Sequence, residues 1–443
     1  MELTSGAKII IKALKDHGFE GYAVGGFVRN ILLNIPVLDV DVTTSATPDQ
    51  VIEIFKDYKV YLTGLKHGTV TVSVDGENIE VTTYRVDGEY TDSRHPDTVK
   101  FVSDIKGDLL RRDFTVNAMA FDGENLIDLY GGQDDLKNKI IRAVGVPTKR
   151  FQEDALRILR ALRFSSVLDF EIEENTSKAM LENKHLLKSV SIERVFSELN
   201  KILLGRGVER VLTNYKEIIF EVIPELRACD GFNQNSKFHA YDVYVHTVKS
   251  VAMSAINRSV RWALLFHDIE KPSCYTQDGD GVGHFYGHQK KSADRAVKIL
   301  KRLKADNELI SNCYYLISLH DCKTKVERGE LKKMLNQYGV KIIKMLVDVK
   351  VGDALSHASP YAEIRKELVE GFWAMLDDIL KNEECFTLKR LKIDGNDVKA
   401  SGFNGADIKR VLNSILNDVM MGKVQNERQA LLNRLDDERS IRK

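Results

Sequence analysis

Apolar and polar positions follow two different rhythms along this chain. Between residue 20 and about 142, short runs alternate with a period of two: VLDVDVTT, KHGTVTVSV, IEVTTYRV, TVKFV and AMAFD. That period predicts β-strands. Between the first two runs, Thr47 and Pro48 supply an N-cap and an N1 proline for a helix. The opening MELTSGAKIIIKALKDHG reads as an amphipathic helix. From about residue 148 the spacing becomes helical and strand-like runs nearly vanish. FQEDALRILRALRFSSVLDF puts Leu156, Leu159, Ala161 and Leu162 on apolar stripes with arginines between them. SIERVFSELNKILLG closes on Gly205, placed as a helix C′ residue. Residues 239–360 form a second helical stretch rich in histidine, and a polar region around 380–390 leads into a last helical module. Asp87 to Lys106 is polar with few apolar anchors and reads as a long loop. The predicted fold class is α+β: a mixed-sheet head followed by an all-α remainder.

A chain of 443 residues exceeds one ordinary core, so two to four domains are expected. Hydrophobic residues make up 43% and charged residues 29%, a composition of globular proteins that excludes disordered and fibrous classes. No apolar run approaches the roughly 18 residues of a membrane span, and the N-terminus lacks a secretion pattern. Cys229, Cys274, Cys313, Cys322 and Cys385 are scattered without a CxxC pair, which fits a reducing cytoplasm and argues against zinc–thiolate sites. Formal net charge is zero, so a polyanionic partner must meet a local basic patch.

The chemistry starts at Asp39-Val40-Asp41. On an alternating strand, residues i and i+2 share a face, so the two carboxylates point the same way. Like charges so placed repel unless a cation lies between them, and hard oxygen ligands suit Mg²⁺. The turn Gly25-Gly26-Phe27-Val28-Arg29 precedes this pair and can cradle phosphate through backbone N–H groups and a guanidinium. Further along, TGLKHGTVTV brings Lys66, RRDFTVNA brings Arg111 and Arg112, EDALRILRALRF brings Glu153, Asp154, Arg157, Arg160 and Arg163, and SIERVFSELNKIL brings Glu193 and Arg194. The acid pair and the glycine turn together suggest metal-assisted phosphoryl or nucleotidyl transfer.

In order and spacing, these segments resemble the class II CCA-adding enzymes and bacterial poly(A) polymerases. The resemblance covers roughly residues 20–205 and recurs in SGFNGADIKRVLNSILNDVMMGKVQNERQALL. It implies a polymerase-β-like nucleotidyltransferase head over residues 1–142, a helical neck for nucleobase recognition over 143–225, a helical domain of HD type over 226–365 and a helical tRNA-binding tail over 366–443. It implies template-independent addition of CCA, or its terminal A, to tRNA 3′ ends from CTP and ATP. Asp39 and Asp41 would then be the catalytic pair holding Mg²⁺, and Gly26, Arg29, Lys66, Arg111 and Arg112 phosphate contacts; a third carboxylate, common in such heads, would be Glu80, with Asp108 as second choice. Two departures stand out. Asn30 replaces the aspartate usual after the arginine of the glycine turn, and Glu270 replaces the glycine common in HDxGKP.

Base choice has its own logic. Asp154 and Arg157, three apart on a helix, would share one face. An aspartate accepts from an exocyclic amine and an arginine donates to ring acceptors, which matches cytosine and adenine and mismatches uracil and guanine. Arg160 and Arg163 follow on the same helix as further nucleotide contacts. In the histidine-rich half, His246, His267, Asp268, His288, His320 and Asp353 form a mixed N/O ligand set suited to Mn²⁺, Ni²⁺, Fe²⁺ or Mg²⁺. HDIEKP resembles the signature of HD-type metal-dependent phosphohydrolases. In the tail, Lys409, Arg410, Lys423 and Arg428 add basic charge near a glycine-bracketed helix start, a candidate RNA grip. The expected partners are the tRNA 3′ end, CTP and ATP, with no membrane; homodimer formation stays open. Two other readings stay open as well: a poly(A) polymerase, and an HD phosphohydrolase whose head binds RNA.

Overall fold

Helix α1 (Ser5–Asp16) forms because Ala7, Ile10, Ile11 and Leu14 recur at helical spacing and bury one face, while the Thr4 hydroxyl accepts the Ala7 N–H. In the computed structural model the described residues are 2–37, 39–87, 99–102, 104–236 and 240–441. They fall into two units, Met1–Pro224 and Glu225–Lys443.

The first unit is built on a seven-stranded mixed sheet. Its strands are β1 (Gly21–Val24), β2 (Asp41–Thr44), β3 (Lys59–Tyr61), β4 (Thr69–Val74), β5 (Glu77–Thr83), β8 (Met119–Phe121) and β9 (Leu126–Asp128). The order is β3-β4-β5-β2-β1-β8-β9; the β2–β5 pair is parallel and the others are antiparallel. A separate ladder joins β6 (Arg85–Asp87) to β7 (Val99–Phe101). Between strands run α2 (Gly26–Leu32), α3 (Pro48–Ile54) and α4 (Ile105–Leu110), followed after the sheet by α5 (Gly132–Asn138). The expected start of α3 holds: Thr47 and Gln50 form a reciprocal capping box ahead of Pro48. Packing of Val24 with Leu109 and Ala120 ties α4 to the sheet centre, which fixes the chain that leads into Arg111 and Arg112.

Two expectations need correction here. The run from Val37 is not all strand: β2 begins at Asp41, and Asp39 lies outside regular structure ahead of the ladder. The segment Asp87–Lys106 is not simply loop, since Asp87 and Val99–Phe101 pair and α4 starts at Ile105. Residues 88–98 of that segment lie outside the described residues.

Short β10 (Ile140–Ile141) and β11 (Glu171–Ile172) pair in parallel and bracket α6 (Pro147–Glu153) and α7 (Leu156–Leu168). Helices α8 (Glu174–Asn183), α9 (Ile192–Leu203), α10 (Val208–Asn214) and α11 (Lys216–Val222) complete the unit. Gly205 follows α9 as expected, but for another reason. A Cβ there would sit 2.1 Å from the Ser166 Oγ, so close approach of α7 demands glycine.

The second unit is helical: α12 (Val243–Met253), α13 (Arg258–Phe266), α14 (His288–Arg302), α15 (Asn307–Leu319), α16 (Arg328–Leu355), α17 (Tyr361–Lys381), α18 (Gly395–Ala400), α19 (Ala406–Met420) and α20 (Arg428–Ile441), with a two-residue hairpin of β12 (Thr276–Gln277) and β13 (Gly283–His284). Helix α16 kinks at Gly339 (φ 81°, ψ 159°). In α13, Trp262, Leu264, Leu265 and Phe266 are all buried. Each such side chain contributes about 1.5–3 kcal/mol, so the end of α13, where His267 and Asp268 follow, is firmly anchored.

Candidate active site

Val24 of β1 is the register partner of Asp41 in β2, and Asp41 in turn faces Glu80 in β5. The turn after β1 therefore opens beside the acid pair. Gly25 has φ 69° and ψ −130°, a conformation that favours glycine, and a Cβ on it would lie 3.1 Å from an Arg112 nitrogen. Protein atoms around Asp41 push its carboxyl up; Arg112 opposes and Asp39 adds to the rise. Glu80 is raised by burial, then by Asp41 and Asp39. Carboxylates gathered so that Asp39 raises Asp41, and both raise Glu80, suit divalent cations. Glu80 is thus placed with the acid pair. Asp108 is not: it is fully buried and its carboxylate takes Arg111 Nη2 at 2.7 Å and Arg112 Nη2 at 3.2 Å. Its work is to aim two guanidiniums.

A cleft of about 660 Å³ opens here. Seven arginines line it (29, 111, 112, 157, 160, 163 and 194) against four aspartates (39, 41, 113 and 154), a positive surplus suited to a triphosphate. Arg112 Nε is buried with no hydrogen-bond partner, a donor left for a ligand. Arg29 donates to Asn117 Oδ1 at 2.6 Å and to Asn30 Oδ1 at 2.8 and 3.0 Å. Asn30 thus orients the neighbouring guanidinium without needing a charge. Burial lowers Arg29 to about 10, with Asp113 opposing and Arg163 and Arg160 assisting. The ring of Phe164 lies 5.1, 5.6 and 4.2 Å from the guanidinium carbons of Arg29, Arg160 and Arg163. Lys66 is exposed and is not among the described residues lining the cleft.

Sequence reasoning overlooked Asp113, Asn117 and Phe164. Asp113 accepts from Arg160 Nε at 2.8 Å, Phe114 N at 2.8 Å and Asn117 Nδ2 at 3.1 Å. Burial would raise its carboxyl, but Arg160 and Asn117 hold it down at about 2. The signal was in RRDFTVNA, where an acid directly follows two arginines.

The Asp154–Arg157 couple is not a helical pair. Helix α6 ends at Glu153, Asp154 is extended (φ −141°, ψ 104°), and Arg157 sits in the first turn of α7. Asp154 Oδ1 accepts Leu156 N at 3.0 Å and Oδ2 accepts Arg194 Nη2 at 2.8 Å. Arg157 is buried, with Nη1 on Glu153 Oε2 at 2.8 Å and Nη2 on the Arg111 carbonyl at 2.8 Å. Both nevertheless line the cleft, and neither side chain has used all its donors or acceptors. Arg163 Nε meets the buried Glu198 at 3.2 Å.

The second unit carries a separate cluster. His246 (α12), His267 and Asp268 (after α13), His288 (α14), His320 (after α15) and Asp353 (α16) converge from five helices. His246 Nε2 lies 3.3 Å from His267 Nε2 and 3.1 Å from Asp353 Oδ1. His288 Nε2 lies 3.4 Å from His320 Nε2 and 3.2 Å from Asp268 Oδ1. The Nδ1 atoms of His267, His288 and His320 face backbone carbonyls at 2.6, 2.8 and 2.7 Å. That leaves the Nε2 lone pairs facing one another, an arrangement a cation or proton relieves. Burial would raise Asp268, yet His267 and Lys271 hold it well below the usual carboxylate range. His357, one turn beyond Asp353, joins His246 and Asp353 in a further potential ligand group that sequence reasoning missed. Glu270 is spoken for: Arg295 Nε reaches it at 2.6 Å and the Ser273 hydroxyl bonds to it as well.

Toward the C-terminus, Lys409, Arg410, Lys423 and Arg428 are all exposed. Arg410 pairs with Asp407 at 3.3 Å, Lys423 with Asp418 at 3.5 Å and Arg428 with Asp397.

Comparison with known proteins narrows the class. Residues 21–142 match the poly A polymerase head domain, and residues 169–229 match the probable RNA and SrmB-binding site of polymerase A. Head and acid pair together define a nucleotidyltransferase. A CCA-adding enzyme of Ligilactobacillus salivarius is 34% identical over 96% of this chain and 94% of its own length. One of Pediococcus pentosaceus is 47% identical over 52% of this chain, an alignment spanning 57% of that enzyme. The structure of the Bacillus stearothermophilus CCA-adding enzyme in complex with CTP matches with a TM-score of 0.68 at 29% identity, covering 99% of this chain and 98% of that one. The Thermotoga maritima CCA-adding enzyme complexed with tRNA shares the fold, with a TM-score of 0.61 at 22% identity over 98% of this chain and 94% of that one. The chain belongs to the CCA-adding enzyme family.

Proposed function

We propose that this enzyme adds cytidine, cytidine and adenosine to tRNA 3′ ends from CTP and ATP without a nucleic-acid template. The observation that carries the reading is the cleft itself, where the acid pair, an arginine surplus and Asp154 share one cavity. The tRNA 3′-hydroxyl oxygen attacks the α-phosphorus of the nucleotide, the α–β P–O bond breaks, and pyrophosphate leaves. Asp39 and Asp41, with Glu80 as third acid, hold Mg²⁺. Bound Mg²⁺ supplies activation of the 3′-hydroxyl and neutralisation of the leaving pyrophosphate. Arg29, Arg111 and Arg112 take the triphosphate, the last two aimed by Asp108. Asp154 accepts the exocyclic amine of cytosine or adenine and Arg157 donates to the adjoining ring acceptor. Uracil and guanine leave these groups unpaired, at about 1–3 kcal/mol each. Residues 1–142 serve as head, 143–225 as neck, 226–365 as HD-type domain and 366–443 as tail. In the tail, Lys409, Arg410, Lys423 and Arg428 meet the tRNA backbone. A cytoplasmic location goes with a tRNA substrate and five unpaired cysteines.

Incubation with tRNA lacking its 3′ end and each labelled nucleotide in turn tests this. Incorporation of C and A to a fixed length of three nucleotides is expected. A long A tail would instead identify a poly(A) polymerase, and no incorporation would leave a hydrolase with an RNA-binding head.

A second activity is supported by the convergent imidazoles of the second unit. His246, His267, Asp268, His288, His320 and Asp353 fit a pair of divalent ions such as Mn²⁺, Ni²⁺ or Fe²⁺, and such a centre supplies an activated water for phosphate-ester hydrolysis. The residues' own part is to fix the imidazole tautomers through backbone carbonyls and to keep Asp268 ionised.

A further inference from the structure

One aromatic ring in the cleft of the first unit is surrounded by positive charge. Phe164 lies on α7, lines the cleft and is 7% exposed. The guanidinium carbon of Arg163 stands 4.2 Å from its ring centroid, that of Arg29 5.1 Å and that of Arg160 5.6 Å. Arg160 and Arg163 share α7 with the ring, whereas Arg29 comes from α2. Three guanidiniums gathered around one point repel one another. Carboxylates offset two of them: Asp113 takes Arg160 Nε at 2.8 Å, and Glu198 lies 3.2 Å from Arg163 Nε. The remaining acids of the cleft are engaged elsewhere. Asp154 pairs with Arg194 at 2.8 Å, Asp41 bears on Arg112 and Glu80, and Asp39 bears on Asp41 and Glu80. Arg29 is the exception. Asp113 favours its charge, but among the described residues no carboxylate pairs with it. Its hydrogen bonds go to the neutral oxygens of Asn30 and Asn117. The Phe164 ring supplies what those amides lack, a negative face for a cation held largely out of water. Phe114, fully buried, meets that ring edge-on at 5.7 Å and 78°, which fixes its plane.

We propose that Phe164 is a positioning residue for nucleotide addition. Its ring gathers Arg29, Arg160 and Arg163 into one fan, so the guanidinium beside the glycine turn and those of α7 hold fixed places before the nucleotide arrives. The ring acts through these guanidiniums and not on the reacting atoms. Without it, Arg29 would be free to swing away from two like charges, and the triphosphate would have to draw it back at a cost in affinity. The inference rests on the reading of this cleft as the nucleotide site, and the test separates the two.

The full-length enzyme is made with 4-fluoro-, 3,5-difluoro- or 3,4,5-trifluorophenylalanine in place of Phe164. Each fluorine drains negative charge from the ring face while the ring keeps nearly its size. KM and kcat for CTP and ATP are measured on tRNA lacking its 3′ end, with metal-free CTP binding and the thermal unfolding midpoint alongside. KM and the metal-free Kd should climb stepwise with fluorine number, reaching about 5- to 30-fold at the trifluoro ring. The kcat values and the unfolding midpoint should stay near wild type. Phe164→Leu, which has no ring, should raise KM at least as far. Wild type that incorporates no nucleotide overturns the reading of the cleft and the inference with it. An active series whose KM is flat from Phe164 to the trifluoro ring, or whose KM merely tracks a falling unfolding midpoint, overturns the inference alone.

Discussion

Asp113 offers the sharpest quantitative prediction. Its carboxylate is buried, receives Arg160, Asn117 and the Phe114 N–H, and is held at about 2. Relative to an unfolded value near 3.8, that corresponds to about 2.5 kcal/mol of stabilisation at neutral pH. Asp113→Asn keeps the shape, removes the charge and leaves Arg160 facing an amide. Unfolding of the first unit in urea at pH 7 should show a loss of about 2–3 kcal/mol. The sign of the pH dependence follows from the direction of the shift. A carboxyl held below its unfolded value contributes fully above that value and loses its contribution as pH falls through its folded one. About half should be gone by pH 3, so wild type and variant should converge on acidification. Arg160 lines the cleft, so KM for CTP and ATP should rise in the variant. A difference below about 0.5 kcal/mol at pH 7, or one equal at pH 7 and pH 3, would refute the reasoning.

Other consequences are as direct. Asp41→Asn should reduce nucleotide incorporation on the order of 100-fold or more, while equilibrium binding of CTP, measured without metal, stays near wild type. Asp108→Ala should raise KM for both nucleotides more than it lowers kcat, because it releases Arg111 and Arg112 from their aim. Gly205→Ala should lower the unfolding midpoint, since the new methyl meets Ser166; overpacking of this kind costs about 1–3 kcal/mol. His267→Ala should lose bound Mn²⁺ by elemental analysis with CCA addition unaltered.

Much of the head was legible because its strands alternate strictly and pack one face. TVTVSV became β4 and EVTT the end of β5. What alternation could not reveal was where the ladder starts. Val37 to Val40 carry the same pattern as β2 in sequence, but among the described residues pairing with β1 and β5 begins at Asp41. The helices that follow the head show the limit of periodicity more clearly. Glu153, Ala155 and Leu156 are good helix formers, so the pattern runs straight through Asp154. The chain breaks there because the Asp154 carboxylate serves the Leu156 N–H and Arg194 instead. Aspartate's preference for helix starts was the available clue. The HD resemblance singled out the residues that converge in the histidine cluster, yet not His357, since its proximity to His246 depends on how α12 and α16 pack. Asp113 and Phe164 were hidden for the same reason: their roles exist only once α7 lies against the head.

The claim at the centre is that protein side chains choose the incoming base. Its most direct test is the ratio of kcat/KM for CTP over UTP on tRNA lacking its 3′ end, in wild type and in Asp154→Ala. Loss of the amine acceptor should reduce that ratio by about 10- to 100-fold, with metal-free CTP binding through the phosphates retained. An unchanged ratio in an active Asp154→Ala enzyme would contradict it.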